Sequence, residues 1–227
     1  MKLTSEKVKA IYNGKTGKKY DMSMSHFFGR LKKKAFEASS LKKGDSVLVF
    51  CCGTGLDFPY IQSRIGTGGS IIGIDFSSQM LEKAAKLVER YDWENIELIQ
   101  DDVTNLKNNY EFKFDAGICT LGLSIIPNFK KAYDNLLSNI KENGELIIGD
   151  MKLATGWQAR FNPLTIFFAK RFGGTLEGHK NSLEIISKMN QELTGVKFRD
   201  FFMGAYYICI GRKKKVTSNN PMEQSNN

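Results

Sequence analysis

Val47-Leu-Val-Phe-Cys-Cys-Gly-Thr-Gly55 decides the fold of this chain. Val47 to Phe50 is a short unbroken apolar run, which suits a strand covered on both faces, and a glycine turn follows before the chain resumes at Leu56. A strand that ends in Gly-x-Gly is a ligand loop, because glycine lets the backbone approach a bound molecule and adopt dihedrals that other residues resist. Gly53 and Gly55 take that part. A dinucleotide fingerprint needs a third glycine three residues further on, where Phe58 stands, and no Gly-Lys-Ser/Thr follows the turn as a phosphate loop requires.

Working outward, turn signals and apolar periodicity lay out the neighbours. The pattern predicts helix over Leu56 to Arg64, strand over Ser70 to Asp75, helix over Ser77 to Arg90 capped by Ser77 or Ser78, and strand over Ile96 to Gln100. Strand follows over Phe114 to Thr120, helix over Phe129 to Ile140, and strand over Glu145 to Met151. Strands alternating with helices at this spacing predict an α/β fold, a doubly wound and mostly parallel sheet. Trp157 to Gly174 then reads as a helix begun at Asn162-Pro163, and Ser182 to Leu193 as another. Val196 to Phe202 and Ala205 to Arg212, flanking Met203-Gly204, read as an antiparallel pair, which brings the sheet to seven strands.

The ends differ in composition. Residues 1–40 are basic, with a helical stripe of Met24, Phe27, Phe28, Leu31, Ala35 and Ala38 shouldered by Lys32 and Lys34, and are expected to form a lid over a catalytic domain spanning 41–212. Residues 213–227 are polar, rich in Asn and Ser, and are expected to be a disordered tail.

Composition limits the partners. The net charge is +9, which permits an anionic membrane surface or nucleic acid. No apolar run approaches the roughly 18 to 20 residues of a membrane span, and no apolar signal core opens the chain, so a cytoplasmic location is expected. Cys51, Cys52, Cys119 and Cys209 lie in apolar runs without metal-site spacing, so they are expected to be small buried hydrophobes and no metal is expected.

In an open α/β sheet the ligand sits beyond the carboxyl ends of the strands. Those ends carry Gly53-Thr54-Gly55, Asp75, Asp101-Asp102, Thr120 to Leu123 and Asp150. An acid after the second strand can accept both hydroxyl protons of a ribose, and one after the third can accept from an adenine amino group. Together they outline an adenosine site without a phosphate binder.

These residues resemble the class I S-adenosylmethionine-dependent methyltransferases. The resemblance runs through Val47 to Leu56, Gly73-Ile-Asp-Phe-Ser-Ser-Gln-Met-Leu, Gln100-Asp-Asp-Val, Phe114-Asp-Ala-Gly and Leu136 to Asp150, where Asn143-Gly-Glu-Leu-Ile-Ile resembles the family's glycine turn before a strand, and it spans about residues 40 to 212. It implies a Rossmann-like sheet and S-adenosyl-L-methionine as cofactor, held by Cys52, Gly53, Thr54, Gly55, Asp75, Phe76, Met80, Asp101, Asp102, Val103, Cys119 and Thr120. Gly53 and Gly55 would underlie the methionine and ribose portion. Asp75 would hold the ribose hydroxyls, Asp102 and the Val103 amide the adenine. Two positions depart from the family: Val49 replaces a usual acid and Cys51 a usual first glycine. Asp57 or a group from the N-terminal helix is expected to compensate for Val49.

Methyl transfer from a sulfonium asks mainly for alignment and exclusion of water, with a base where the acceptor must lose a proton. Candidate catalytic groups near the mouth are Tyr20, His26 and Asp150. Tyr20-Asp-Met-Ser, Gly117 to Asn128 and Trp157-Gln-Ala-Arg-Phe-Asn-Pro are similar to the group of ubiquinone/menaquinone-pathway and phosphatidylethanolamine N-methyltransferases. That similarity implies a lipid headgroup amine or another small molecule as acceptor, with peripheral membrane contact through the basic N-terminal helix and the Leu164 to Phe172 run, and Tyr12, Tyr20 or Trp157 as an aromatic facing a methylated ammonium. Soluble small-molecule or quinone-precursor transfer is the alternative. Neither an Asn/Asp-Pro-Pro-Tyr/Phe motif after the fourth strand nor an RNA-binding module is present, so no nucleic-acid partner is expected. A cofactor-binding protein without turnover is the remaining class.

Overall fold

The computed structural model describes residues 33, 36–107, 110, 113–170 and 175–215. Seven strands form one sheet: β1 (Ser46–Phe50), β2 (Ser70–Asp75), β3 (Ile96–Gln100), β4 (Phe114–Thr120), β5 (Ile140–Met151), β6 (Leu193–Phe201) and β7 (Tyr206–Lys213). Their order across the sheet is β3-β2-β1-β4-β5-β7-β6. β1 pairs in parallel with β2 and β4, with Val47 opposite Ile71 and Ala116, while β7 runs antiparallel to both β5 and β6. The order reverses beside β1, which opens a crevice there at the carboxyl ends of the strands.

β1 is central because both of its faces are covered. Val47 and Val49 enter one apolar layer with Phe58, Ile61, Ile118 and Tyr206. Leu48 and Phe50 enter the other with Ile74, Tyr133, Leu136 and Ile148. Each such side chain contributes about 1.5–3 kcal/mol by leaving water. Val49 therefore stands in a dry layer, opposite Gly73 and Ile118.

The helices that cover the sheet are α1 (Phe58–Ile65), α2 (Ser78–Arg90), α3 (Phe129–Ser138), α4 (Asn162–Lys170) and α5 (Leu176–Glu192). α1 starts two residues later than the periodicity predicts, with Pro59 in its first turn, where the missing N–H costs nothing. Phe58 occupies the place of the absent third glycine. A Cβ at Gly55 would lie 2.7 Å from its ring and one at Gly73 2.9 Å from it, so the ring packs onto two bare backbones. Ser77 caps α2, its hydroxyl accepting from the Met80 amide at 3.3 Å.

Three boundaries differ from expectation. Ile140 belongs to β5 rather than to the preceding helix: it pairs with Phe114, and the register then shifts before Ala116 pairs with Glu145. Asn143, at φ 59°, turns the backbone within that irregularity, so the expected glycine turn is a bulge inside the strand. The segment after β5 opens with a 3-10 turn, Gly156–Phe161, which the sequence does not announce, and α4 then starts at Asn162-Pro163 as expected. α5 begins six residues early because the Thr175 hydroxyl accepts from the Gly178 amide at 3.0 Å.

Most of the expected lid, including Tyr12, Tyr20 and His26, and the tail from residue 216 lie outside the described residues. At the lid's end the structure corrects the helical stripe. Phe36, off the stripe, is buried and stacks on Tyr60 at 6.1 Å, whereas Ala38 is exposed.

Candidate functional site

The cleft at the carboxyl ends of β1, β2 and β3 measures about 770 Å³ including its open side. Cys51 and Gly53 form its floor, Asp75 and Phe76 leave β2 into it, and Met80 reaches in from α2. Asp101 to Thr104 close one side after β3; Leu121, Gly122, Ile125, Ile126 and Pro127 close the other after β4. Among the described residues, three carboxylates and no Lys or Arg line it. Such a lining favours a neutral nucleoside bearing a cation and disfavours a phosphate.

Asp75 is the best-defined group. One carboxylate oxygen accepts from the Gly53 amide and the other from the Ser77 amide, both at 2.9 Å. These bonds tie the glycine loop to the end of β2 and leave acceptor capacity directed at the cleft. Burial pushes its pKa up, and the amides of Ser77, Gly53 and Phe76 oppose that. Gly53 stands at φ +56°, and a Cβ added to it would have only the Cys51 carbonyl near, at 4.0 Å, so the loop is open above it.

The two acids after β3 divide their work. Asp101 is buried and accepts from the amides of Asp102 and Lys107, each at 2.8 Å, so it shapes its own loop although it borders the cleft. Asp102 is exposed, and one of its oxygens accepts from both the amide and the hydroxyl of Thr104 at 2.8 Å, which leaves the other oxygen at the cleft. Asn135 on α3 donates to the Val103 carbonyl at 2.8 Å and holds this loop from behind.

Several expected site residues stand behind the cleft. The Cys52 side chain is buried against Gly73 in the apolar layer, and Thr54 is buried as well; neither lines the cleft. Cys119 is wholly buried, and the Thr120 hydroxyl donates to the Asp57 carboxylate at 2.5 Å. Asp57 thus sits at the carboxyl end of β1 and β4 beneath the loop, on the side of the sheet that Val49 leaves without an acid. Asp150 is also corrected in place. It is buried, accepts from the amides of Ser124 and Met151 at 2.8 Å, and does not line the cleft. Burial raises its pKa to about 6. Because Asn181 on α5 donates to the Ser124 carbonyl at 2.8 Å, Ser124 is held from both sides, and the wall Leu123–Ile125 is fixed with it.

That wall is what sequence reasoning missed beyond Leu123. Leu121 adopts φ 58°, which no periodicity announces for a leucine. Cys51 is corrected too, since it is half-buried at the cleft rather than a core residue. It holds φ 52° where the family's glycine would be relaxed, and a Cβ on Gly122 would come within 2.5 Å of the Cys51 Cβ. Gly122→Ala should cost about 1–3 kcal/mol by overpacking, and adding Cys51→Gly should return most of it, as chemical denaturation of the single and double variants will read.

Comparisons agree with this geometry. A family model described as methyltransferase domain matches residues 41–198. The demethylmenaquinone methyltransferase of Desulfitobacterium hafniense is 28% identical over 237 residues, covering 93% of each chain. That of Lactobacillus johnsonii is 28% identical over 203 residues, covering 82% of each. Among solved structures, a SAM-dependent methyltransferase from Aquifex aeolicus superposes with a TM-score of 0.66 at 19% identity, over 88% of this chain and 98% of that one. The buried Asp75, the open glycine loop and a cleft lined by acids rather than cations suit S-adenosyl-L-methionine. The chain belongs to the methyltransferase domain family, and it is an S-adenosyl-L-methionine-dependent methyltransferase.

Proposed function

We propose that the methyl acceptor is a small quinone precursor of the demethylmenaquinone type. The observation that carries this reading is the 28% identity to the Desulfitobacterium hafniense demethylmenaquinone methyltransferase along 93% of both chains. A lipid headgroup amine, the first expectation from sequence, has no comparable support.

The described residues give the reading a physical basis. S-adenosyl-L-methionine supplies a methyl group already activated on a sulfonium. Asp75 would bind the ribose, Asp102 and the Val103 amide the adenine, and Met80 with Ile125 and Ile126 would exclude water from between them. Leu121, Ile126 and Pro127 offer an apolar wall to a fused ring. Asp150, tied by two amides, holds that wall in this account, and proton removal from the acceptor falls to Tyr20 or His26. Residues 1–40 would cover the cleft as a lid and lend their cations to peripheral membrane contact. Among the described residues no helix is long and apolar enough to cross a membrane.

The test is methyl transfer to a demethylated naphthoquinol with phosphoethanolamine as the competing acceptor, read by mass spectrometry. The reading expects one methyl on the quinol and none on the amine; methylation of the amine alone would overturn it.

A further inference from the structure

The segment after β5 presents apolar side chains to solvent and carries charge of one sign. Trp157 is 65% exposed, Leu164 57% and Phe167 72%. Leu164 and Phe167 are three residues apart on α4 and so share a face. The loop beneath them is held in shape: Asn162 accepts from the Ala154 amide at 2.8 Å and donates to the Ala154 carbonyl at 3.0 Å. The Arg160 guanidinium lies 4.9 Å from the Trp157 ring centre and 5.2 Å from that of Phe161. Trp157 therefore already has its cation, and it does not line the cleft where a methylated ammonium would sit.

A second exposed apolar element rises beside this one. The turn between β6 and β7 shows Phe202 and Met203 to solvent, and a Cβ on Gly204 would lie 3.2 Å from that of Ala154. Because Met151 pairs with Tyr206, this turn and the Ala154–Phe161 loop both stand at the carboxyl end of β5, the same end of the sheet as the cleft. From Met151 to Leu176 the chain has four cations, Lys152, Arg160, Lys170 and Arg171, and no carboxylate. Lys152 is buried and paired with Asp200 at 3.2 Å, so the charge that bears on a partner is that of Arg160, Lys170 and Arg171.

We propose that Trp157, Leu164 and Phe167, with Phe202 and Met203, form a platform that docks on an anionic bilayer and turns the mouth of the cleft toward it. Aromatic and aliphatic tips enter the boundary between headgroups and acyl chains, and arginine and lysine meet the lipid phosphates. The charge commits the platform to anionic lipid. The proposal rests on the quinone-precursor reading in one respect, that an acceptor with an apolar tail is met at a membrane.

Its test uses the chain's own tryptophans. There are two, and Trp93→Phe leaves Trp157 as the single reporter. Vesicles of phosphatidylcholine with about 30% phosphatidylglycerol should shift its emission to the blue in a saturable way that high salt weakens, because screening shortens the reach of the lipid charge. Leu164→Glu with Phe167→Glu should weaken binding at least about tenfold, as should pure phosphatidylcholine. No shift, an equal shift in the glutamate variant, equal binding to the neutral vesicles, or a shift that grows with protein concentration in the absence of vesicles would each overturn the proposal. A tail-less naphthoquinol assayed without vesicles separates the two readings. The glutamate variant should turn it over as the parent does, and a parent that binds vesicles but methylates no quinol removes the acceptor reading while the platform stands.

Discussion

Asp75→Ala will raise the dissociation constant for S-adenosylhomocysteine by about 10²–10⁴-fold. Two hydroxyl hydrogen bonds to a carboxylate are worth about 1.5–3 kcal/mol each, and their sum converts to that range. The loss is compounded inside the protein, because the amides of Gly53 and Ser77 lose the acceptor that joins the glycine loop to the end of β2. Asp75→Asn keeps one acceptor oxygen and the side-chain volume, so it should fall between alanine and the wild type. Calorimetric titration of the three proteins, each checked for a native circular dichroism spectrum, reads the series. A folded alanine variant with wild-type affinity would show that the ribose lies elsewhere.

The second large effect concerns Asp150, which acts on the site through Ser124. Asp150→Ala leaves two buried amides without their carboxylate, at about 1–3 kcal/mol each, and frees the wall that carries Ile125 and Ile126. Stability should fall by about 2–5 kcal/mol and cofactor affinity should fall with it. The pH dependence has a definite sign. The folded pKa, about 6, lies above the ordinary carboxylate value of 3.8, so this group's contribution is complete below pH 4 and is lost as pH rises through 6. Against Asp150→Asn, which does not titrate, the wild type should lose up to about 3 kcal/mol of relative stability between pH 4 and 7. Urea denaturation across that range measures it, and a flat difference would mean that the carboxyl titrates normally.

The sheet was legible in the chain because its strands are short apolar runs punctuated by glycine, and burial on both faces leaves little freedom in where they begin. Val47–Phe50 and Phe114–Thr120 illustrate this, each almost wholly buried. The place of Asp75 at the cleft was legible because an acid stands there at the carboxyl end of a strand. The rest depended on tertiary geometry. Cys119, Thr120 and Asp150 sit at strand ends like Asp75, but their side chains turn into the protein, and nothing in a strand's period says which way the last residue points. The pairing of Cys51 with Gly122 joins residues far apart in sequence, so no local pattern carries it. Ile140 looks helical by spacing and is claimed by Phe114 across the sheet. Phe36 is drawn off its helical stripe by Tyr60.

A crystal structure of the protein with S-adenosylhomocysteine is the measurement that bears most directly on this account. It should show the ribose hydroxyls on Asp75, the adenine beside Asp102 and Val103, and the sulfur near the Cys51–Gly53 floor. Ligand bound away from this cleft, or an adenosine moiety that leaves Asp75 untouched, would contradict it.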